Sequence, residues 1–95
     1  MPRLENWVIQ ERGPDLYILG NVYDHPGKPD GKLWRTGAVV KFEGQDTVVT
    51  HSGSKYQLGS VHPDLLVKNA NARNILLAQI LSHVNPTAGP TPGMN

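Results

Sequence analysis

Two turn clusters, His25-Pro26-Gly27-Lys28-Pro29-Asp30-Gly31 and Ser52-Gly53-Ser54, interrupt short runs rich in Val, Tyr, Trp and Thr between Gly20 and Gly59. Gly frees φ and Pro fixes it, so such clusters end extended segments. β-Branched and aromatic side chains in turn suit a pleated, half-buried surface. A chain punctuated in this way folds its middle into a compact antiparallel sheet with polar loops.

The strands follow from the runs. Trp7-Val8-Ile9-Gln10 reads as a strand and Glu11-Arg12-Gly13-Pro14-Asp15 as the turn behind it. Over residues 16–23, Leu16, Ile18 and Val22, with Gly20, fall on one side, and Tyr17, Leu19, Asn21 and Tyr23 on the other. Apolar bulk on both faces marks a central strand. Residues 32–34 and 38–42 read as one extended segment with a bulge at Thr36-Gly37, because Gly inside a strand marks a kink or a close approach. Glu43-Gly44-Gln45-Asp46 turns the chain back. Thr47-Val48-Val49-Thr50-His51 then forms a hairpin through Ser52-Gly53 with Lys55-Tyr56-Gln57-Leu58-Gly59.

After Gly59 the pattern becomes helical. Pro63-Asp64 opens a short helix capped by Ser60 or His62. A longer helix starts at Asn69 or Asn71 and runs through His83, with Ala72, Ile75, Leu76, Gln79 and Ile80 on one face, widened by Leu77 and Leu81. That stripe is broader than one contact with a small sheet requires. It points either to a second copy of the chain or to a sheet curved enough to wrap the helix. Residues 85–95 carry three prolines and two glycines without periodicity and read as a disordered tail. The expected fold is therefore α+β: residues 1–84 form a single domain, a small antiparallel sheet followed by one short and one longer helix.

Composition narrows the function. Ninety-five residues make one domain with a small core, and no cysteine is present, which removes disulfides, thiolate metal sites and cysteine nucleophiles. A cytoplasmic setting follows as the default. A net charge of +1 is too balanced for a protein that lives on the backbone of duplex DNA, and no run is long enough to span a bilayer. His25, His51, His62 and His83 are scattered, so no metal site or cofactor is expected. His51 beside Ser52 suggests a hydrolase, yet neighbours in a strand point to opposite faces, and no G-x-S-x-G elbow is present. No catalytic residue is assigned and an enzyme is not expected.

Binding chemistry is better represented. Ser52-Gly53-Ser54 with Lys55 brings backbone N–H groups, two hydroxyls and an ammonium toward one point, an anion site or else a plain hairpin turn. Trp34-Arg35 pairs an indole with a guanidinium, a stacking face and a phosphate fork, although alternation leaves one of them to the core. Phe42 carries the same two readings. Arg73, early on the last helix, either completes an anion pocket with the Ser-Gly-Ser turn or is a solvated arginine.

Val22-Tyr23-x-His25-Pro26, Pro29-Asp30-Gly31, Arg35-Thr36, Val39-Val40 and Thr50-x-Ser52-Gly53-Ser54-x-Tyr56-x-Leu58-Gly59 resemble a group of small proteins of phages and other mobile elements. Within it the chain is similar to the phage anti-Thoeris sponge proteins over about forty residues. The resemblance implies a small sheet followed by helices, assembly as a homo-oligomer, and sequestration of a cyclic ADP-ribose-type signal without its degradation. It implies an aromatic (Phe42 or Trp34) stacked on adenine, Ser52 and Ser54 around ribose, and Arg73 on pyrophosphate across a subunit boundary. The last helix departs from that pattern, because Arg73 is its only Lys or Arg; Lys55 or Lys68 has to supply a second charge. The competing expectation is a protein-interaction module, such as an anti-CRISPR-like inhibitor docking on a host defence protein through its sheet edge and helix stripe.

Overall fold

The computed structural model describes residues 1–85; the Pro/Gly tail expected beyond them lies outside the described residues. The elements in chain order are β1 (Arg3–Arg12), β2 (Asp15–Tyr23), β3 (Lys32–Arg35), β4 (Val39–Glu43), β5 (Thr47–Thr50), β6 (Lys55–Leu58), α1 (Pro63–Lys68) and α2 (Ala72–Val84). The fold is α+β. One six-stranded sheet runs β3-β2-β1-β6-β5-β4, antiparallel throughout except that β1 and β6 are parallel.

That order forces the sheet to curl. Laid flat, six strands put their outer members about 24 Å apart, at about 4.8 Å per spacing. The outer members here, β3 and β4, are consecutive, and the connection Thr36-Gly37-Ala38 spans at most about 14 Å. The sheet therefore wraps toward a barrel, and its concave side holds the core: Leu4, Trp7, Leu16, Ile18, Val22, Val39, Val48, Tyr56, Leu58 and Val61. Residues 32–42 are thus two strands at opposite edges, not one bulged strand. Thr36 belongs to the β2 side, where its N–H donates to Ile18 O (2.9 Å), and Ala38 to the β5 side, where its carbonyl accepts from His51 N–H (2.9 Å).

β1 is longer than Trp7–Gln10 because a bulge lets it pass through residues of mixed character. Pairing with β2 shifts between Glu5 and Val8, and Asn6 has φ 54°. The bulge points both Leu4 and Trp7 inward, which regular alternation forbids. Gly20 on β2 makes room: a Cβ there would lie 2.9 Å from Glu5 O and 3.0 Å from Trp7 Cβ. The alternation read for β2 holds, with Leu16, Ile18, Gly20 and Val22 buried.

The helices cover the curl. His62 caps α1, its Nδ1 accepting from Asp64 N–H at 3.1 Å. α2 buries Ala72 and Ile80 and packs Leu76, Leu77 and Val84 against the core. Ile75 and Leu81 remain 51% and 42% exposed and Gln79 is exposed, so the buried stripe is narrower than the apolar pattern. No helix of the described residues is long and apolar enough to cross a membrane.

Candidate functional site

The connection that curls the sheet also floors a cleft of about 420 Å³. Asp15 and Tyr17 of β2, Gly37 and Ala38 of the connection, Val40 of β4 and His51 at the end of β5 line it. Each wall is tied down. Thr36 is buried, its Oγ1 accepting from Ile18 N–H (3.1 Å) and donating to Gly37 O (2.8 Å). Gly37 lets the His51 ring lie against the main chain, since a Cβ there would sit 3.3 Å from His51 Cε1.

Arg35 lies against Tyr17, one of the residues that line this cleft. It pairs with Leu19 across the β2–β3 ladder, which puts it on the outer face beside Tyr17, two residues before Leu19 on the same side. Its Cζ lies 5.0 Å from the Tyr17 ring centroid, and Nη1 donates to Gln10 Oε1 at 3.3 Å. That bond uses one of five guanidinium N–H donors, and the residue is exposed. An aromatic ring, a carboxylate and an imidazole thus line one opening, with a guanidinium fork against the aromatic ring. Such a set can stack a planar ring, grip a phosphate and accept hydrogen bonds from sugar hydroxyls.

The other residues singled out in the sequence do not join them. Trp34 faces the opposite way from Arg35: it packs on the core, its Nε1 donates to Tyr56 Oη (3.2 Å), and Lys28 Nζ lies 3.7 Å over its ring. Phe42 is half-buried against the same core. Ser52, Gly53 and Ser54 form the exposed β5–β6 turn, where Gly53 takes φ 90° and Ser52 Oγ lies 3.1 Å from Thr50 Oγ1. Lys55 pairs with Glu43 at 3.0 Å, and this ammonium, with Lys41 beside it, holds the Glu43 carboxyl below the ordinary glutamate range.

Arg73 lies at the far end of β6 from the serine turn. Its Nε donates to Gly59 O (2.8 Å) and its Nη2 to Leu58 O (2.9 Å). Gly59 O also accepts from Trp7 Nε1 at 2.9 Å. The guanidinium is therefore occupied in fastening α2 to the sheet. The single cup expected from Trp34 or Phe42, the serine turn and Arg73 does not form within one chain, because the length of β6 separates two of its parts and the core takes the rings.

Asp15, Tyr17 and His51 were not assigned to binding in the sequence. The sequence sets His51 beside Ser52 and among the scattered histidines, whereas in the fold its ring lies against Gly37 and its N–H donates to Ala38 O (2.9 Å). The outward alternation of Tyr17 on β2 was the available signal. What it lacked was the partner strand, which sets Arg35 beside it.

Near the other end of β1, burial alone would push the Glu5 carboxyl up. Ser60 N–H (2.9 Å) and Arg3 Nε (2.7 Å) outweigh it and hold the carboxyl below its ordinary range. Among the described residues, no group of three or more His, Cys, Asp or Glu side chains is placed to hold a metal ion. No protein-family model, curated protein or solved structure matches the chain.

Proposed function

We propose that this protein is a non-enzymatic binding protein that captures a small nucleotide in the cleft between β2, the Thr36-Gly37-Ala38 connection and His51. The observation that carries the reading is Arg35 held against Tyr17, which lines a cleft together with Asp15 and His51. Tyr17 and His51 offer ring faces for a base, Asp15 accepts from ribose hydroxyls, and Arg35 forks onto phosphate. The cleft volume is within the usual range for small-ligand sites, about 300 to 1,000 Å³. The particular ligand implied by the resemblance to phage sponge proteins is a cyclic ADP-ribose-type signal, sequestered intact in the host cytoplasm by a homo-oligomer as an anti-defence act. On this chain Arg35 takes the phosphate role in place of Arg73.

Thermal-shift screening against cyclic ADP-ribose isomers and cyclic oligonucleotides tests the reading. A ligand at about 100 times its Kd stabilises the folded state by about 2.7 kcal/mol. Arg35→Ala and Tyr17→Ala are expected to weaken binding by roughly tenfold or more, as loss of a charged hydrogen bond or a stacking face does. Binding that both variants retain at wild-type strength, or a panel in which no nucleotide shifts the transition, overturns the proposal.

A second reading has its own support. Leu66, Val67, Ile75 and Leu81 are between 42% and 87% exposed on α1 and α2, an apolar surface suited to an inhibitor that docks on a host defence protein. That protein would bind a macromolecular partner even with Arg35 replaced.

A further inference from the structure

The loop between β2 and β3, residues 24–31, bridges β3 and β6 through two ring contacts. Lys28 Nζ stands 3.7 Å from the Trp34 ring centroid, and His25 lies nearly parallel to Tyr56, centroids 6.4 Å apart at an interplanar angle of 23°. Trp34 Nε1 donates to Tyr56 Oη at 3.2 Å and so joins indole and phenol into one aromatic floor. The loop begins and ends on positive-φ residues, Asp24 at 60° and Gly31 at 87°.

A primary ammonium carries three N–H donors, yet among the described residues Lys28 makes no ion pair, and the group it meets is the face of an indole. An aromatic face attracts the charge of a cation but accepts few hydrogen bonds. The chemistry that suits such a site is an ammonium without N–H groups. We propose that the Trp34–Tyr56 floor, walled by His25, is a binding site for a quaternary ammonium group, closed in this structure by the chain's own Lys28. The site lies on the inner side of β3, whereas the nucleotide cleft lies on the outer side with Arg35. The two stand or fall separately.

The test titrates tetramethylammonium chloride into the isotope-labelled full chain and follows its two indole N–H signals, one from Trp7 and one from Trp34. In Lys28→Ala the Trp34 signal is expected to move saturably while that of the enclosed Trp7 stays in place. Wild type should need roughly two- to thirtyfold more tetramethylammonium for half the movement, because Lys28 acts as a tethered competitor. Sodium chloride at equal ionic strength should leave both signals unmoved. Lys28→Gln gives the same comparison should alanine unsettle the loop, with the Trp7 signal reporting the folded state. A Trp34 signal that stays still in a folded Lys28 variant, or moves equally with sodium chloride, overturns the proposal.

Discussion

Replacing Arg73 separates its two possible employments. The guanidinium stands in the first turn of α2, where a cation opposes the helix dipole by about 0.3 to 1 kcal/mol, so other contacts must hold it there. Those contacts are its bonds to Leu58 O and Gly59 O. A hydrogen bond to a charged group contributes about 1.5 to 3 kcal/mol. The sum is reduced because Gly59 O keeps the Trp7 indole as a donor. Arg73→Met, which keeps the stem and removes the fork, is expected to lose about 2 to 3 kcal/mol. For a folded region of this size total stability is about 4 to 13 kcal/mol, so the loss is a large share of it. Urea unfolding should show the midpoint falling by about 1 to 3 M with an unchanged m-value, and the Tm should drop by roughly 10 to 20 °C. Arg73→Lys, with the charge but without the fork, should fall between. An Arg73→Met protein that unfolds at the wild-type midpoint yet loses nucleotide binding would refute the reasoning and return this arginine to the ligand.

Other perturbations probe the remaining joints. Gly20→Ala places a methyl against Glu5 O and Trp7 Cβ, and main chain cannot step aside without undoing the bulge; a loss of about 1 to 3 kcal/mol is expected in denaturant unfolding. Gly37→Ala meets the movable His51 ring at 3.3 Å and makes an ordinary contact with Thr50 Cβ at 3.5 Å, so stability should change by less than about 1 kcal/mol while nucleotide affinity drops several-fold by calorimetry. Glu5 and Glu43 both titrate below the ordinary glutamate value when folded. In that window the unfolded chain binds more protons, so their contribution is complete above the ordinary value and is lost as pH falls through the folded pKa. Thermal melts should therefore weaken on acidification below about pH 4.5, and Glu5→Gln should flatten that slope.

Which of these joints could be read from the chain divides along local and distant causes. The period-two alternation of residues 16–23 and the Ser52-Gly53 hairpin are set by neighbouring residues, and both were legible. Leu4 and Trp7 obey no simple period, because the bulge that points both inward has meaning only against the missing Cβ of Gly20, on another strand. Residues 36–38 look like a continuation of an extended run; their division between Ile18 on one side and His51 on the other rests on hydrogen bonds reaching across the sheet. Arg73 could be placed on a helix from the sequence, but the carbonyls it finds belong to the last residue of β6 and the one after it. Arg35 was legible as one of an alternating pair, while Tyr17 beside it needed the strand pairing. Thr36-Gly37-Ala38 ties these threads together. Being too short to cross a flat sheet, it makes the sheet curl, and the curl carries His51 from the far strand into the cleft that Tyr17 lines. Lengthening that connection with a few glycines should therefore loosen the curl and disperse the cleft at once, so that stability and nucleotide binding decline together, whereas the same insertion at the exposed Gly44 turn should leave binding intact.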